Sequence, residues 1–202
     1  MLYGCRSMRS CAVREERLAM LSQPHMTSLV AYAEDVAARL SVEVPMFDPA
    51  DGGVEARILF LKEKPGPKTS TARLGFTGSG FISRDNDDPT AEATYDLMQK
   101  IGLDRKQTLM WNVIPGWNGT IKLTDDERRR GLAEMPRLLA LLPKLEVVVL
   151  VGKQAWKAEP YFANTQIELF KSYHPSRRVQ NSYPNHWRSI PAVWAEAASR
   201  LR

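Results

Sequence analysis

Cysteine is nearly absent from this chain of 202 residues: Cys5 and Cys11 are the two that occur, both close to its beginning. Two cysteines build neither a disulfide framework nor a four-cysteine metal site. Long apolar runs are missing too, and stretches such as 145–152 (LEVVVLVG) are far too short to cross a bilayer. Arg6, Arg9, Arg14 and Arg17 stud the first residues with no continuous apolar segment among them, so no secretory signal is expected. Acid is scarce at the other end. From Lys171 to Arg202 six Lys or Arg residues stand against a single Glu196.

What is present is an ordinary globular balance, 44% hydrophobic and 25% charged, in a length that suits one domain. These features lead us to expect a cytoplasmic protein. The 28 basic and 23 acidic residues leave a formal charge of +5, a modest excess that suits a polyanionic partner without requiring one. Clustering of the excess near a candidate site says more than the total.

Residues 1–26 show no clear period and read as a loosely held, poorly structured extension, with Met20 and Met26 as alternative starts. From Thr27 a helix follows, with Leu29, Ala33, Val36, Ala37 and Leu40 on one face. Four strands are expected at 57–61, 108–113, 146–152 and 167–173. Between them come a helix capped by Asp88 and Pro89 and ending near Gly102, an amphipathic helix over about 125–142, and a short helix at 153–159. A final helix runs from about Pro184 to Leu201. Strands separated by helices imply right-handed crossovers. The expectation for 27–202 is therefore a single three-layer α/β/α domain with a mostly parallel four-stranded central sheet.

In such sheets the ligand crevice lies beyond the carboxyl ends of the strands. Three segments there carry chemistry. In 174–178 (HPSRR), Pro175 fixes the turn after His174, Ser176 offers a hydroxyl and an N–H, and Arg177 and Arg178 add two permanent charges. A histidine beside cations resists protonation and serves as a neutral donor, which suits a leaving group that departs as an anion. In 62–67 (KEKPGP), Glu63 precedes a Pro-Gly turn, and the surrounding Lys62, Lys64 and Lys68 should lower its pKa and keep it ionised. The third is Asn112, an amide at the end of an apolar strand, which a ligand with a paired donor and acceptor could satisfy. The acids of the polar stretch 83–88 (SRDNDD) read as caps and solvated charge, and 152–156 (GKQAW) as a tight strand-to-helix turn.

In this order the motifs resemble those of the uracil-DNA glycosylase superfamily. The spacing matches best its iron–sulfur-containing bacterial and archaeal branch, which has a Gly-Glu-Ala-Pro-Gly motif followed ten residues on by Phe-Val-Gly. Here Glu63, Pro65 and Gly66 are followed at that distance by Phe76, Thr77 and Gly78. Asn112-Val113 and His174-Pro175-Ser176 supply the remaining motifs. The chain departs in lacking the branch's cysteines, so no cluster, metal or other cofactor is expected. Lys62 and Lys64 also replace small residues of the first motif.

The resemblance implies a monomeric, nucleoid-associated enzyme of base excision repair, hydrolysing the N-glycosidic bond of uracil or another deaminated base in DNA. His174 would donate to the departing base and Glu63 would hold water or face the sugar cation. Phe76 would stack on the flipped base, Asn112 would read its edge, and Lys64 would form the pocket floor. Lys68, Ser176, Arg177 and Arg178 would grip the DNA. A glycosylase for a different damaged base is one alternative, and a catalytically inactive nucleic-acid-binding relative is the alternative from another class.

Overall fold

The segments Ile58–Leu61, Thr108–Asn112 and Val147–Val151 are buried along their whole length, the signature of strands covered on both faces. In the computed structural model, which describes residues 4–71 and 78–201, the elements follow in chain order. They are α1 (Cys11–Met20), α2 (Thr27–Leu40), β1 (Met46–Phe47), β2 (Ile58–Lys62), β3 (Phe81–Ile82), α3 (Pro89–Lys100) and β4 (Thr108–Asn112). Then come α4 (Asp125–Leu132), α5 (Met135–Ala140), β5 (Val147–Val151), β6 (Glu168–Ser172), α6 (Arg177–Ser182) and α7 (Pro184–Ser199). A 3₁₀ helix, Ala155–Phe162, links β5 to β6.

The main sheet is four-stranded and parallel throughout, in the order β4-β2-β5-β6. Helix α7 packs on β5 and β6 and against α3. On that face Phe60 meets Trp194 edge-on at 4.9 Å between ring centroids. On the opposite face Trp111 stacks on Phe47 at 3.7 Å, with Tyr32 of α2 tilted against both. Neighbouring positions on a strand point to opposite faces, so Phe60 and Lys62 belong to the α3/α7 side and Leu61 to the α2 side. That parity sets which strand-end side chains can share one pocket.

The expected α/β/α architecture and its four strands are present. The expected helix over 125–142 is two helices, because Pro136 opens α5 and cannot extend the preceding one. Gly131 sits against the chain, where a Cβ would meet the Val113 carbonyl oxygen at 2.1 Å. The segment after β5 is 3₁₀ rather than α, with Pro160 inside it.

Residues 4–26 are not a loose extension. Helix α1 is seated on the fold, and Met8 and Val13 form a small second core with Phe81. Arg17 is completely buried, its Nε 2.9 Å from Asp48 and its Nη2 2.8 Å from Asp85. Its burial hides the helix from hydrophobic patterning, since the inward face carries a charge. Arg105 joins the same group, reaching Asp48, Asp51 and Asp85 at 2.6, 2.8 and 2.7 Å. Arg84 approaches Asp51 at 3.3 Å. Within 83–88, then, Asp88 is a cap as expected, accepting from the N–H groups of Thr90 and Ala91. Asp85 is instead buried and ion-paired, not solvated.

Candidate active site

Lys62 closes β2 and Asn112 closes β4, and the two are partners in the parallel register. Their side chains therefore leave the same face of the sheet. They line a pocket of about 270 Å³ together with His174, which follows β6. The loop 64–69 forms one wall, and Ile82, Asn86 and Asp88 contribute to another. Lys62 donates to Thr94 Oγ1 of α3 at 3.1 Å.

Asn112 is buried, and its side chain makes no hydrogen bond with another described residue. The His174 ring is likewise without a hydrogen-bond partner among the described residues. A pocket lined by such an amide and such a ring is preorganised for a polar, planar occupant.

Burial, aided by the charge of Lys62, pushes the His174 pKa down to about 3. The neutral imidazole anticipated from Arg177 and Arg178 thus has a different origin. The turn is held by the Ser176 N–H, which donates to the His174 carbonyl at 2.8 Å, while Ser176 Oγ accepts from the Val179 N–H to cap α6.

Glu63, one residue beyond Lys62, goes the other way. Its Oε1 accepts the Gln154 N–H at 3.1 Å, and it does not line the pocket. Burial raises its pKa, with the Gln154 hydrogen bond opposing. This reverses the expected lowering by three lysines, whose ammonium groups are engaged elsewhere. Lys64 directs all three of its donors to Glu127 Oε1 (2.6 Å), Asn118 Oδ1 (2.8 Å) and the Lys122 carbonyl (3.0 Å). Glu127 is also the third residue of the capping box on Thr124. Lys64 therefore braces the 118–127 segment against the pocket rim, and its ammonium is not offered to a base.

Lys68 stands at the rim, its Nζ 3.9 Å from Asp87. Arg177 and Arg178 are exposed at the start of α6. Arg177 lines an adjacent groove with Glu92, Asp96 and Trp187 and is not part of the pocket wall. Phe76 lies outside the described residues. The Gly78 N–H donates to the Ser70 carbonyl at 2.8 Å.

Lys62 is the functional candidate that residue-by-residue reading misses. Strand parity finds it, since any side chain in register with Asn112 must share its face. The iron–sulfur cluster of the resembled branch has no place here, because Cys5 and Cys11 are the chain's two cysteines and both are exposed.

No curated protein matches the chain significantly. A model of the uracil DNA glycosylase superfamily matches residues 49–197, a span that includes all four strands of the main sheet and the pocket residues Lys62, Asn112 and His174. With motif order, parallel sheet and pocket in agreement, the chain belongs to the uracil DNA glycosylase superfamily.

Proposed function

We propose that the chain is a DNA glycosylase that releases uracil, or a related deaminated base, from DNA. The observation that carries this reading is the pair of groups with no hydrogen-bond partner among the described residues, the Asn112 amide and the neutral His174 ring, on one pocket at the carboxyl edge of a parallel sheet. An amide has both a donor and an acceptor, and so does the imide edge of uracil. Breaking the N-glycosidic bond leaves negative charge on the base and positive charge on the sugar. A neutral imidazole can donate to the former without itself titrating.

The base must leave the stack to reach the pocket, at a cost of a few kcal/mol. Exposed Arg177 and Arg178, with Lys68 at the rim, are the groups we assign to the DNA backbone, and Ser176 caps the helix that carries the arginines. Glu63 enters as a positioning residue that ties the end of β2 to the turn after β5. Phe76 retains its proposed role as the stacking partner.

The test is base release from duplex and single-stranded oligonucleotides carrying uracil, hypoxanthine or xanthine, scored as alkali-labile sites. Cleavage at uracil is the expected result. A shift on a native gel with no alkali-labile site for any base would instead identify a binding relative.

A further inference from the structure

The amine in the pocket has no role in that reading. Lys62 lines the cavity beside Asn112 and His174, and no carboxylate among the described residues lies within ion-pair distance of its Nζ. Its hydrogen bond is to a neutral hydroxyl, Thr94 Oγ1. Glu63, the acid expected to direct water, faces Gln154 on the other side of the strand. In the described pocket lining the nucleophile that chemistry offers is an amine, and the acid that shares the pocket with it is Asp88.

We propose that Lys62 condenses with the abasic deoxyribose left after base release, giving the protein a strand-cleaving lyase activity in addition to base removal. The inference rests on the glycosylase reading only in that the abasic site is its product. The Lys62 nitrogen adds to C1′ of the ring-opened aldehyde, and loss of water from the adduct leaves a protonated C1′=N imine. The C2′ proton then passes to Asp88 or to water, and its electron pair forms an enamine. The enamine expels the phosphate at C3′, forming C2′=C3′, and the downstream strand departs with that phosphate at its 5′ end. Hydrolysis of the imine returns the free amine.

The nucleophile must be neutral, and the surroundings favour that state. Burial pushes the Lys62 pKa down to about 8, against the opposing charge of Asp88 and with help from Arg84. Of the other titratable groups lining the pocket, Lys64, Lys68, Asp88 and His174, the last is already neutral. An ordinary lysine near 10.4 would carry a neutral fraction hundreds of times smaller at pH 7.

The experiment is reduction with borohydride in the presence of two DNAs, one carrying uracil and one carrying a preformed abasic site, followed by peptide mapping of any covalent adduct. The expected result is an adduct on Lys62 with both DNAs, and strand cleavage without alkali. Lys62→Arg keeps a cation in place but cannot form an imine. It should lose at least about 99% of the adduct on the preformed abasic DNA, a substrate that needs no prior base release, the signature of a missing covalent step. If that variant does not fold, the mapping on the unmodified protein decides. An adduct at Lys64, Lys68 or the terminal amine overturns the proposal, as does base release with no adduct on either DNA. An adduct at Lys62 on the abasic DNA without base release from any substrate would uphold the lyase and overturn the glycosylase.

Discussion

Glu63 and Gln154 are joined across the carboxyl edge of the sheet: the carboxylate oxygen accepts a backbone N–H at 3.1 Å, over a turn whose Gly152 adopts φ +95°. A Cβ at 152 would lie 2.5 Å from that same oxygen, so the turn and the carboxylate fit each other only with glycine there. The contact makes Glu63 a strut between β2 and β5, and it separates hydrogen bonding from charge as the reason for the residue.

Glu63→Gln should therefore keep base release within about tenfold of the unmodified protein, because an amide oxygen accepts the same N–H. Glu63→Ala leaves the Gln154 N–H unsatisfied and should destabilise by about 1–3 kcal/mol. Thermal melting and single-turnover kinetics on both variants check this. A Gln variant as slow as the Ala variant, with native stability, would return Glu63 to a direct chemical role.

His174→Ala should slow excision by roughly 10² or more, the usual loss for a positioned polar catalyst. The pH dependence comes from its lowered pKa. In the folded protein the ring stays neutral down to about pH 3, whereas in the unfolded chain it takes a proton near 6.5. The unfolded state thus binds more protons in that window, and stability falls as pH drops from about 6.5 towards 3. His174→Ala should flatten that decline, and the excision rate of the unmodified protein should show no acid limb centred at 6.5. A rate that halves at pH 6.5 because of His174 would contradict the neutral ring.

Asn112→Asp should change which base is accepted more than it changes affinity for undamaged DNA. A carboxylate supplies no donor and repels a departing anion. The check is a base panel run beside a binding titration. Equal loss for every base, with weaker binding to undamaged duplex, would mark Asn112 as structural.

Removing Arg177 and Arg178 together should weaken DNA binding across sequences. The salt slope should fall by close to one unit of log affinity per log salt for each phosphate no longer neutralised. The double variant should also perform relatively better on single-stranded uracil. Unchanged slopes and an unchanged strand preference would show that the two arginines are merely solvated.

The sheet is legible in the sequence because its strands are short apolar runs separated by turn residues and helical patterns. The positions of Asn112 and His174 come with it, since a strand end needs only the strand to be found. Charge counted along the sequence misjudges Glu63, because the pleat sends Lys62 and Glu63 to opposite sides and Lys64 to Glu127. Helix α1 is hidden for a related reason. Its buried face presents Arg17, and no periodicity rule scores an arginine as core.

Arg17 has a consequence for any shortened form of the chain. Asp48, Asp51 and Asp85 are buried beside Arg17, Arg84 and Arg105, three acids to three bases. A polypeptide beginning at Met20 or Met26 would keep the acids and lose one base, stranding negative charge away from water. Breaking a buried pair in this way costs about 3–5 kcal/mol, a large share of a typical domain's stability. Ser83 of the pocket wall donates to Asp48 in this cluster, so the amino-terminal helix would set whether there is a folded wall to carry the site.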